Sequence, residues 1–271
     1  ILIKFLKEKL LSNSILFNKK INRVKKIDKK INIYFTDGSI EVADYLIVAD
    51  GVFSNTRSII EKKIFKLNYS GAVATRAQIK NENISNFDSN NISIVMESAA
   101  HFVLYPINKS KEVNLVSIVR KKLDNAEDPR AILENGFLRE NRYLGNLFKA
   151  DLKVWSIYTS NKPTKSIYKN VFYIGDAFYT FLPTMAQGAS QAIESANEIF
   201  NLIRNNETDI QNIYFKNRFK RANLIKKRSK INYFSFHISN VVLKFFRNKI
   251  LKILVKNKNF ISGYLGKVYK Q

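Results

Sequence analysis

The sequence predicts an α/β protein with a second, antiparallel lobe, and three patterns support this prediction. The apolar run Tyr45–Ala49 suits a strand that is buried on both faces of a sheet. A second short apolar strand, Val171–Ile174, is followed by a loop and a helix, which is the order of elements in an α/β unit. Between the two strands, residues 69–120 contain several alternating segments separated by polar turns, as in an antiparallel sheet.

The remaining elements follow from local patterns. Apolar positions at helical spacing in Ile1–Leu11 predict an opening helix. Asp37-Gly38 is a hairpin signal, because these residues readily adopt the backbone angles of a tight turn. We expect strands at 31–35, 39–42, 71–79, 92–96, 102–105, 113–119 and 155–158, helices within 128–149 and at 189–203, and two cationic amphipathic helices from 214 onward with a break at 232–240.

Composition excludes several kinds of chemistry. The 271 residues contain no cysteine, which rules out a disulfide framework, a thiolate metal site and a cysteine nucleophile, and fits a reducing, cytoplasmic location. The two histidines, His101 and His237, lack the spacing of metal ligands, so we expect no metal. No apolar run reaches the ~18 residues of a membrane span, so we do not expect an integral membrane protein.

The formal net charge of +24 has two interpretations. A strongly basic chain attracts nucleic acid, anionic lipid or an anionic ligand. Alternatively, the excess of basic over acidic residues consists mostly of solvated surface lysines, which accompany abundant Asn and Ile in this sequence. The basic residues are spread along the chain rather than confined to one helix or tail, which favours the second interpretation and predicts no nucleic-acid partner.

The strand that ends in Gly175-Asp176 leads to the segment Ala186–Ala189, and this order suits a site for an anionic, sugar-containing ligand. A helix start has unpaired N–H groups and the positive end of the helix dipole. Gly188 lacks a Cβ and would let a planar ligand approach the backbone. Asp176 lies where a carboxylate accepts hydrogen bonds from sugar or ribityl hydroxyls. Taken alone, the pattern is a weak signal.

Together with two other segments, the pattern resembles a known family. Asp44–Arg57, an apolar strand followed by DG, S and R, resembles the first motif of FAD-dependent aromatic hydroxylases, the class A flavoprotein monooxygenases. Gly175–Glu194, with GDA followed by P, QG and AIE, resembles their second signature. His101–Pro106 looks like a sheet strand of the salicylate-hydroxylase-like branch, which is related to ubiquinone-biosynthesis hydroxylases. The resemblance covers residues 1 to about 203 well and the C-terminal helices loosely.

The resemblance implies a fold and a domain organisation. A Rossmann-like FAD/NAD(P)-binding α/β domain with a mainly parallel sheet would be formed by residues 1–68 and 166–203. Residues 69–165 would form an antiparallel α+β substrate domain, and residues 204–271 would form basic C-terminal helices. In this family NADH or NADPH reduces FAD, and O2 then gives a flavin C4a-hydroperoxide that transfers one oxygen to an aromatic or quinone-like ring.

The resemblance also implies residue roles. Asp176 would hold the ribityl chain, and Asp50 with Arg57 would brace the pyrophosphate and nicotinamide side. Backbone N–H groups at Gln187 and Gly188 would stabilise negative charge on the flavin. The expected cofactor-binding residues are Asp50, Gly51, Arg57, Gly175, Asp176, Pro183, Gln187, Gly188 and Ala189, and the expected catalytic residues are His101, Tyr105 and Pro183. His101 could relay a proton for a phenolic substrate, although a lone histidine at a strand start is as often structural.

Three departures from the family pattern are visible. The GxGxxG fingerprint that binds the FAD pyrophosphate is absent, so we expect that the first βαβ unit is truncated or supplied by another chain, and that this chain alone is inactive. Val48 replaces a glycine two residues before the DG aspartate. Thr75 stands where a tryptophan often precedes the substrate-domain arginine, here Arg76, and this leaves the substrate open.

Alternative functions are kept open. One is the reduction of isoprenoid double bonds, as in geranylgeranyl reductases, and another is a non-catalytic basic binding protein that has lost its FAD lobe. Asp50 could instead be a turn aspartate that caps a helix and forms a structural salt bridge with Arg57. Asp176, Gln187 and Gly188 could instead belong to a plain strand-to-helix turn. Absence of hydroxylated product and of O2 consumption would favour the reductase, and absence of flavin absorbance would favour the binding protein.

The last predicted helix has an apolar stripe with two interpretations. In the first interpretation, the stripe contacts the inner face of an anionic membrane peripherally. In the second interpretation, which we favour, the stripe packs on the FAD domain. The stripe consists of Val242, Phe245, Phe246, Ile250, Ile253 and Leu254, opposite the basic residues Lys244, Arg247, Lys252 and Lys256.

Overall fold

The structure, a computed structural model, describes residues 2–11, 14–80, 90–98, 100–120 and 153–267, and the helix expected within 128–149 lies outside them. The strands are β1 (Ile21–Ile27), β2 (Lys30–Phe35), β3 (Ile40–Ala43), β4 (Leu46–Val48), β5 (Asn68–Lys80), β6 (Ser93–Met96), β7 (Ala100–Ile107), β8 (Glu112–Arg120), β9 (Lys153–Thr159) and β10 (Val171–Tyr173). The helices are α1 (Leu2–Glu8), α2 (Asn55–Glu61), α3 (Gly188–Arg204), α4 (Ile210–Phe236), α5 (Val241–Leu254) and α6 (Lys258–Ile261). Short 3-10 turns lie at Gly175–Ala177 and Pro183–Met185, and a π-helical turn lies at Ser262–Gly266.

The chain divides into two compact units. Unit 1 comprises Ile1–Phe65, Thr164–Phe178 and Gln191–Lys216, and unit 2 comprises Lys66–Pro163, Tyr179–Ser190 and Asn217–Gln271. The assignment of FAD binding and substrate binding to separate parts of the chain, with the boundaries given above, stays a prediction.

Unit 1 begins with α1 and an antiparallel sheet of β1, β2 and β3. The predicted hairpin is present: Phe35 N donates to Ser39 O at 3.0 Å, and Gly38 has a φ of +84°. Asp37 accepts a hydrogen bond from Ser39 N, and its ion pair with Lys19 holds the pKa of Asp37 well below its usual value. The inward residues of this sheet are Val24, Ile31 and Ile33, which are buried.

A parallel pair of strands, β4 and β10, positions both motifs of unit 1. Leu46 is in register with Val171, and Val48 with Tyr173. Val48 is buried, but Ile47 is 44% exposed, so the expectation of a strand buried on both faces is wrong for β4. Val48 and Ile47 point to opposite faces of the strand, and the face on which Ile47 lies is open to solvent.

Behind β10, unit 1 has a small core. It is formed by the buried side chains of Phe172, Ile199 and Tyr214, with Ile174 packed against them. The Tyr214 hydroxyl also donates to Tyr173 O at 2.7 Å, which fixes the start of α4 against the strand.

Unit 2 is built on a five-stranded sheet with the order β6-β7-β8-β5-β9, and every neighbouring pair is antiparallel. Successive side chains of a strand point to opposite faces, so the sheet has two apolar surfaces. One surface contains Phe102, Leu104 and Leu115. The other contains Ala74 and Ile118 and packs against Tyr233 of α4. Helices mixed with antiparallel sheets confirm the predicted fold class. The expectation of a mainly parallel sheet is wrong for the described residues of unit 1, where the parallel pair β4 and β10 accompanies a three-stranded antiparallel sheet, because the turns at 28–29 and 36–39 connect β1, β2 and β3 as hairpins.

Helix α5 of unit 2 corrects one expectation. Val242, Phe246 and Ile253 are 60%, 54% and 69% exposed, so the prediction that this stripe packs on the FAD domain is wrong. The periodicity of the sequence identified the apolar side of the helix correctly, but the side that faces the protein carries the buried Arg247 instead. Within the described part of the chain, no helix is long and apolar enough to cross a bilayer.

Candidate functional site

The first motif forms a capped helix start in unit 1. Ser54 is the N-cap of α2, where its hydroxyl accepts from Arg57 N at 3.0 Å and donates to one carboxylate oxygen of Asp50. The other oxygen of Asp50 accepts from Thr56 N at 3.1 Å. Gly51 has a φ of +83°, which favours glycine at this turn. Asp50 therefore stabilises the turn and the first helical N–H groups, and its direct contact with a cofactor stays a prediction.

Arg57 is buried and bonded to main-chain oxygens. Its exposed fraction is 2%, and Nη1 donates to Ala177 O at 2.6 Å while Nη2 donates to Val52 O at 3.2 Å. The guanidinium also lies over the ring of Phe65, 4.3 Å from its centroid. Burial lowers the pKa of Arg57 from its usual value. These contacts make Arg57 a positioning residue, since it joins the loop after β4 to the turn after β10.

The second motif begins with a tight turn. Gly175 has a φ of +54°, and a Cβ added there would lie 3.1 Å from the Cβ of Ala192 in α3. A larger residue would therefore be strained by its backbone angle and would also push against the helix. The sequence motif GDA thus needs glycine for two separate physical reasons at this position.

Asp176 follows in an open position. The residue is exposed, and it makes no hydrogen bond or ion pair to any residue that the structure describes. Surrounding protein atoms partly desolvate the carboxyl group and raise its pKa. A carboxylate with both oxygens available, at the carboxyl end of a parallel strand, fits the hydroxyl-rich ribityl chain of FAD.

A further contact in unit 1 has no signature in the sequence. The Tyr173 hydroxyl donates to Glu61 Oε1 at 2.6 Å, and Ile167 N donates to the same oxygen at 3.2 Å. Burial, followed by the contact with Glu61, raises the pKa of Tyr173 above its usual range. The last residue of α2 is therefore tied to β10, although 112 positions separate the two partners.

The segment Pro183–Ala189 lies in unit 2. Pro183 is the first residue of the 3-10 turn, and Ala186 after it has a φ of +51°. Gly188 begins α3, and a Cβ built on it would meet no atom within 4 Å. Gln187 is buried, and its predicted role at the flavin stays a prediction. Gly188 and Ala189 are exposed.

Side chains of the C-terminal helices hold this turn. Thr184 Oγ1 donates to Ser229 O at 2.7 Å, and Asn232 Nδ2 donates to Thr184 O at 3.2 Å and lies 3.0 Å from Met185 Sδ. Tyr264 in turn donates its hydroxyl proton to Asn232 Oδ1 at 2.8 Å. The turn that contains Pro183 is therefore fixed by residues that sequence reasoning did not connect with it.

His101 has a partner that was not predicted. Its Nδ1 lies 2.9 Å from Nε2 of His237, and both rings are almost fully buried. Burial and the neighbouring His237 lower the pKa of His101 to about 3, while burial and the charge of Arg120 lower that of His237 to about 4. Both rings are therefore neutral at pH 7, and one of them donates the shared proton to the other.

The strand register assigns His101 and Tyr105 to one face of the sheet. Tyr105 is opposite Asn114, and His101 is opposite Ile118, on the neighbouring strand β8. Arg76 of β5 reaches the same face, because its Nε donates to Asn114 Oδ1 at 2.6 Å. The catalytic roles of His101, Tyr105 and Pro183 stay predictions. In the part of the chain that the structure describes, no group of three or more potential ligands could hold a metal ion.

These motifs and this fold define a class of protein. Residues 15–205, well over half of the chain, match the family model described as "FAD binding domain", and the chain belongs to that family. The matched region includes the strand and loop at Asp50, the sheet with His101 and the turn at Asp176.

Curated relatives are FAD-dependent aromatic monooxygenases. The chain is 27% identical over 236 residues to 6-hydroxynicotinate 3-monooxygenase of Bordetella bronchiseptica, covering 80% of this chain and 60% of that protein. It is 25% identical over 182 residues to 3-amino-4-hydroxybenzoate 2-monooxygenase of Streptomyces cremeus, covering 65% of this chain and 45% of that protein. A salicylate hydroxylase of Pseudomonas putida is 22% identical over 223 residues. The chain thus spans about half the length of these relatives.

Solved structures show the same fold. HpxO of Klebsiella pneumoniae, in complex with FAD and uric acid, has a TM-score of 0.79 at 18% identity, covering 99% of this chain and 70% of that one. A salicylate hydroxylase in a substrate complex has a TM-score of 0.80 at 18% identity, covering 100% and 72%. The resemblance to this family, and the fold class that it implies, are therefore confirmed.

Proposed function

We propose that the protein takes part in FAD-dependent monooxygenation of a small aromatic or quinone-like ring, with NADH or NADPH and O2 as co-substrates. The observation that carries the proposal is the exposed Asp176 carboxylate at the end of β10, inside the matched FAD-binding region. Two relatives of the protein are named for hydroxylated or amino-substituted aromatic acids, which favours a substrate of that class. The proposal includes a cytoplasmic location, which a chain without cysteine fits.

In unit 1, two residues would prepare the cofactor site. Asp176 would accept hydrogen bonds from the ribityl hydroxyls of FAD. Arg57 would act through the loops that it joins, because its two Nη nitrogens are already bonded to Val52 O and Ala177 O. FAD, when bound, supplies the redox chemistry that activates O2, with NADH or NADPH as the electron donor.

In unit 2, we assign the segment at Gln187 and Gly188 to the flavin ring and the sheet face at His101 to the substrate. The open space at Gly188 would admit a planar group, and the backbone N–H groups of a helix start stabilise negative charge. His101, whose lowered pKa makes it a weak base, would accept a hydrogen bond from a phenolic hydroxyl without taking its proton, and His237 would orient its ring through the shared hydrogen bond. Tyr105 on the same face would orient the substrate.

The test uses the full-length protein and measures flavin absorbance after purification, nicotinamide oxidation and O2 consumption with candidate aromatic acids. Asp176→Ala should lose bound FAD, while the melting temperature of the FAD-free protein should not change, because Asp176 is exposed and makes no hydrogen bond or ion pair to the described residues. Asp44→Ala is the matched control, since Asp44 is also exposed and its ion pair with Lys30 is on the surface.

Three outcomes would contradict the proposal. Full flavin occupancy in Asp176→Ala would remove the assigned role of that carboxylate. Nicotinamide oxidation without O2 uptake or hydroxylated product would favour a double-bond reductase. A full-length protein without flavin and without affinity for added FAD would favour a non-catalytic binding protein.

A further inference from the structure

Helix α5 presents an apolar strip to solvent. The strip is formed by Val242, Phe246, Ile250 and Ile253, which are 60%, 54%, 52% and 69% exposed. These residues follow one another at spacings of four, four and three, so they lie on one side of the helix. Four large apolar side chains in a row, each more than half exposed, are unusual on a surface that contacts only water.

The basic residues of α5 fall into two groups. Lys244 and Arg247 face the body of unit 2, where Lys244 Nζ donates to Ser98 Oγ at 2.9 Å and Arg247 Nη1 donates to Ser235 O at 3.0 Å. Lys249, Lys252 and Lys256 are exposed, and at 100° per residue they lie on the arc that adjoins the strip. The first group attaches the helix, and the second group places positive charge beside the exposed apolar side chains.

The surrounding sequence extends this positive charge. Residues 210–271 contain sixteen Lys and Arg residues and no Asp or Glu, within a chain of net charge +24. Lys and Arg occur along the whole chain, but only here, over more than sixty residues, are they without acidic neighbours in the sequence. A segment with one sign of charge attracts a surface of the opposite sign.

We propose that α5 lies in the plane of an anionic lipid surface, with its strip inserted between the headgroups and the exposed lysines in contact with lipid phosphates. Nucleic acid would satisfy the lysines but would leave the strip of Val242, Phe246, Ile250 and Ile253 in water. A second copy of the chain would cover the strip but would bring two strongly basic segments together. Lipid satisfies both features. This inference does not depend on the proposed enzymatic activity.

The experiment measures sedimentation of the full-length protein with vesicles of phosphatidylcholine alone or with one third phosphatidylglycerol. We expect binding to the anionic vesicles only, and its loss when salt is raised from 0.1 M to 0.5 M. Replacement of Lys249, Lys252 and Lys256 by Gln should lower the partition coefficient roughly a hundredfold, about fivefold per lysine. Phe246→Ala should lower it about tenfold, because a large apolar side chain no longer leaves water.

Matched controls separate the strip from general effects of charge and hydrophobicity. Phe200 is 59% exposed on α3, so Phe200→Ala removes a comparable side chain from another surface. Lys26, Lys29 and Lys66 are exposed, and their replacement by Gln removes the same charge elsewhere. Both controls should bind vesicles like the unchanged protein, and all variants should keep its melting temperature.

The proposal is overturned by any of three results. Vesicle binding that both lysine triples reduce equally would show attraction by net charge alone. Retention of duplex DNA or RNA, without vesicle binding, would assign the lysines to nucleic acid. A concentration-dependent dimer that Phe246→Ala abolishes, again without vesicle binding, would assign the strip to a second copy of the chain.

Discussion

Arg57 Nη1 donates a hydrogen bond of 2.6 Å to the carbonyl oxygen of Ala177, which lies 120 positions further along the chain. This contact joins the two motifs that the sequence predicted for FAD binding within unit 1. Because the same guanidinium also binds Val52 O, one buried cation fixes the loop after β4 and the turn that contains Asp176 together. The arginine of the first motif therefore determines the geometry of the second.

The first prediction follows from this contact. Arg57→Met should lower the free energy of unfolding by about 2–4 kcal/mol, because it leaves two carbonyl oxygens in a buried region without donors. FAD affinity should fall as well, since the turn at Asp176 loses its support. Denaturation in urea, followed by flavin titration, measures both effects.

Arg23→Met is the control for Arg57→Met. Arg23 is exposed on β1 and contacts only the face of Tyr34 among the described side chains. Its replacement should change stability by less than about 0.5 kcal/mol. Equal stabilities for the two variants would show that the bond to Ala177 does not support the fold.

The sequence predicted which residues belong to this site. It did not predict which of them bind the protein backbone and which remain exposed. Asp50 and Arg57 were both expected to contact the cofactor, whereas the structure shows that their polar atoms bind the backbone around them. Asp176 was expected to be available, and in the described structure it is. A motif records which residue types occur together, whereas hydrogen-bond partners depend on backbone positions that are fixed only after folding.

Long-range partners were the part that could not be predicted. His237 was set aside because it lies 136 positions from His101, yet its ring is the neighbour of His101 in the structure. Helical periodicity likewise identified the apolar side of α5 but gave no information on whether another element covers it. Strand patterns were more informative, because β5, β7 and β8 are long apolar segments that were predicted as strands, although their burial on both faces could not be derived from alternation.

The second prediction concerns Gly175. Gly175→Ala should cost about 1–3 kcal/mol of stability, from a φ of +54° and from the approach of its Cβ to Ala192. Gly71→Ala is the matched control, because Gly71 also has a positive φ but open space around it. Ala192→Gly in helix α3 should itself cost about 1 kcal/mol, so the double variant Gly175→Ala, Ala192→Gly should be less destabilised than the sum of the two single variants. Additive losses would mean that the backbone angle alone explains the cost of Gly175→Ala.

The third prediction concerns the turn that contains Pro183. Asn232→Leu removes the contacts to Thr184 O and Met185 Sδ, so hydrogen exchange in the backbone of residues 183–187 should become at least tenfold faster. Tyr264→Phe removes only the bond to Asn232 Oδ1 and should have a smaller effect. Unchanged exchange in Asn232→Leu would show that Thr184 Oγ1, bonded to Ser229 O, holds the turn by itself.

The fourth prediction concerns pH and the buried pair His101 and His237. Their pKa values are lowered from 6.5 to about 3 and about 4, so between these values and pH 6.5 the unfolded chain binds protons that the folded chain does not. Stability should therefore be complete above about pH 6.5 and decrease as the pH falls, on the order of 3 kcal/mol by pH 4 for His101 alone. Unfolding in urea between pH 4 and 8 measures this slope, and His237→Gln should reduce it, because one proton-binding group is lost from the unfolded chain. A slope that is the same in His237→Gln and in the unchanged protein would show that carboxylates elsewhere, and not the histidine pair, cause the loss of stability in acid.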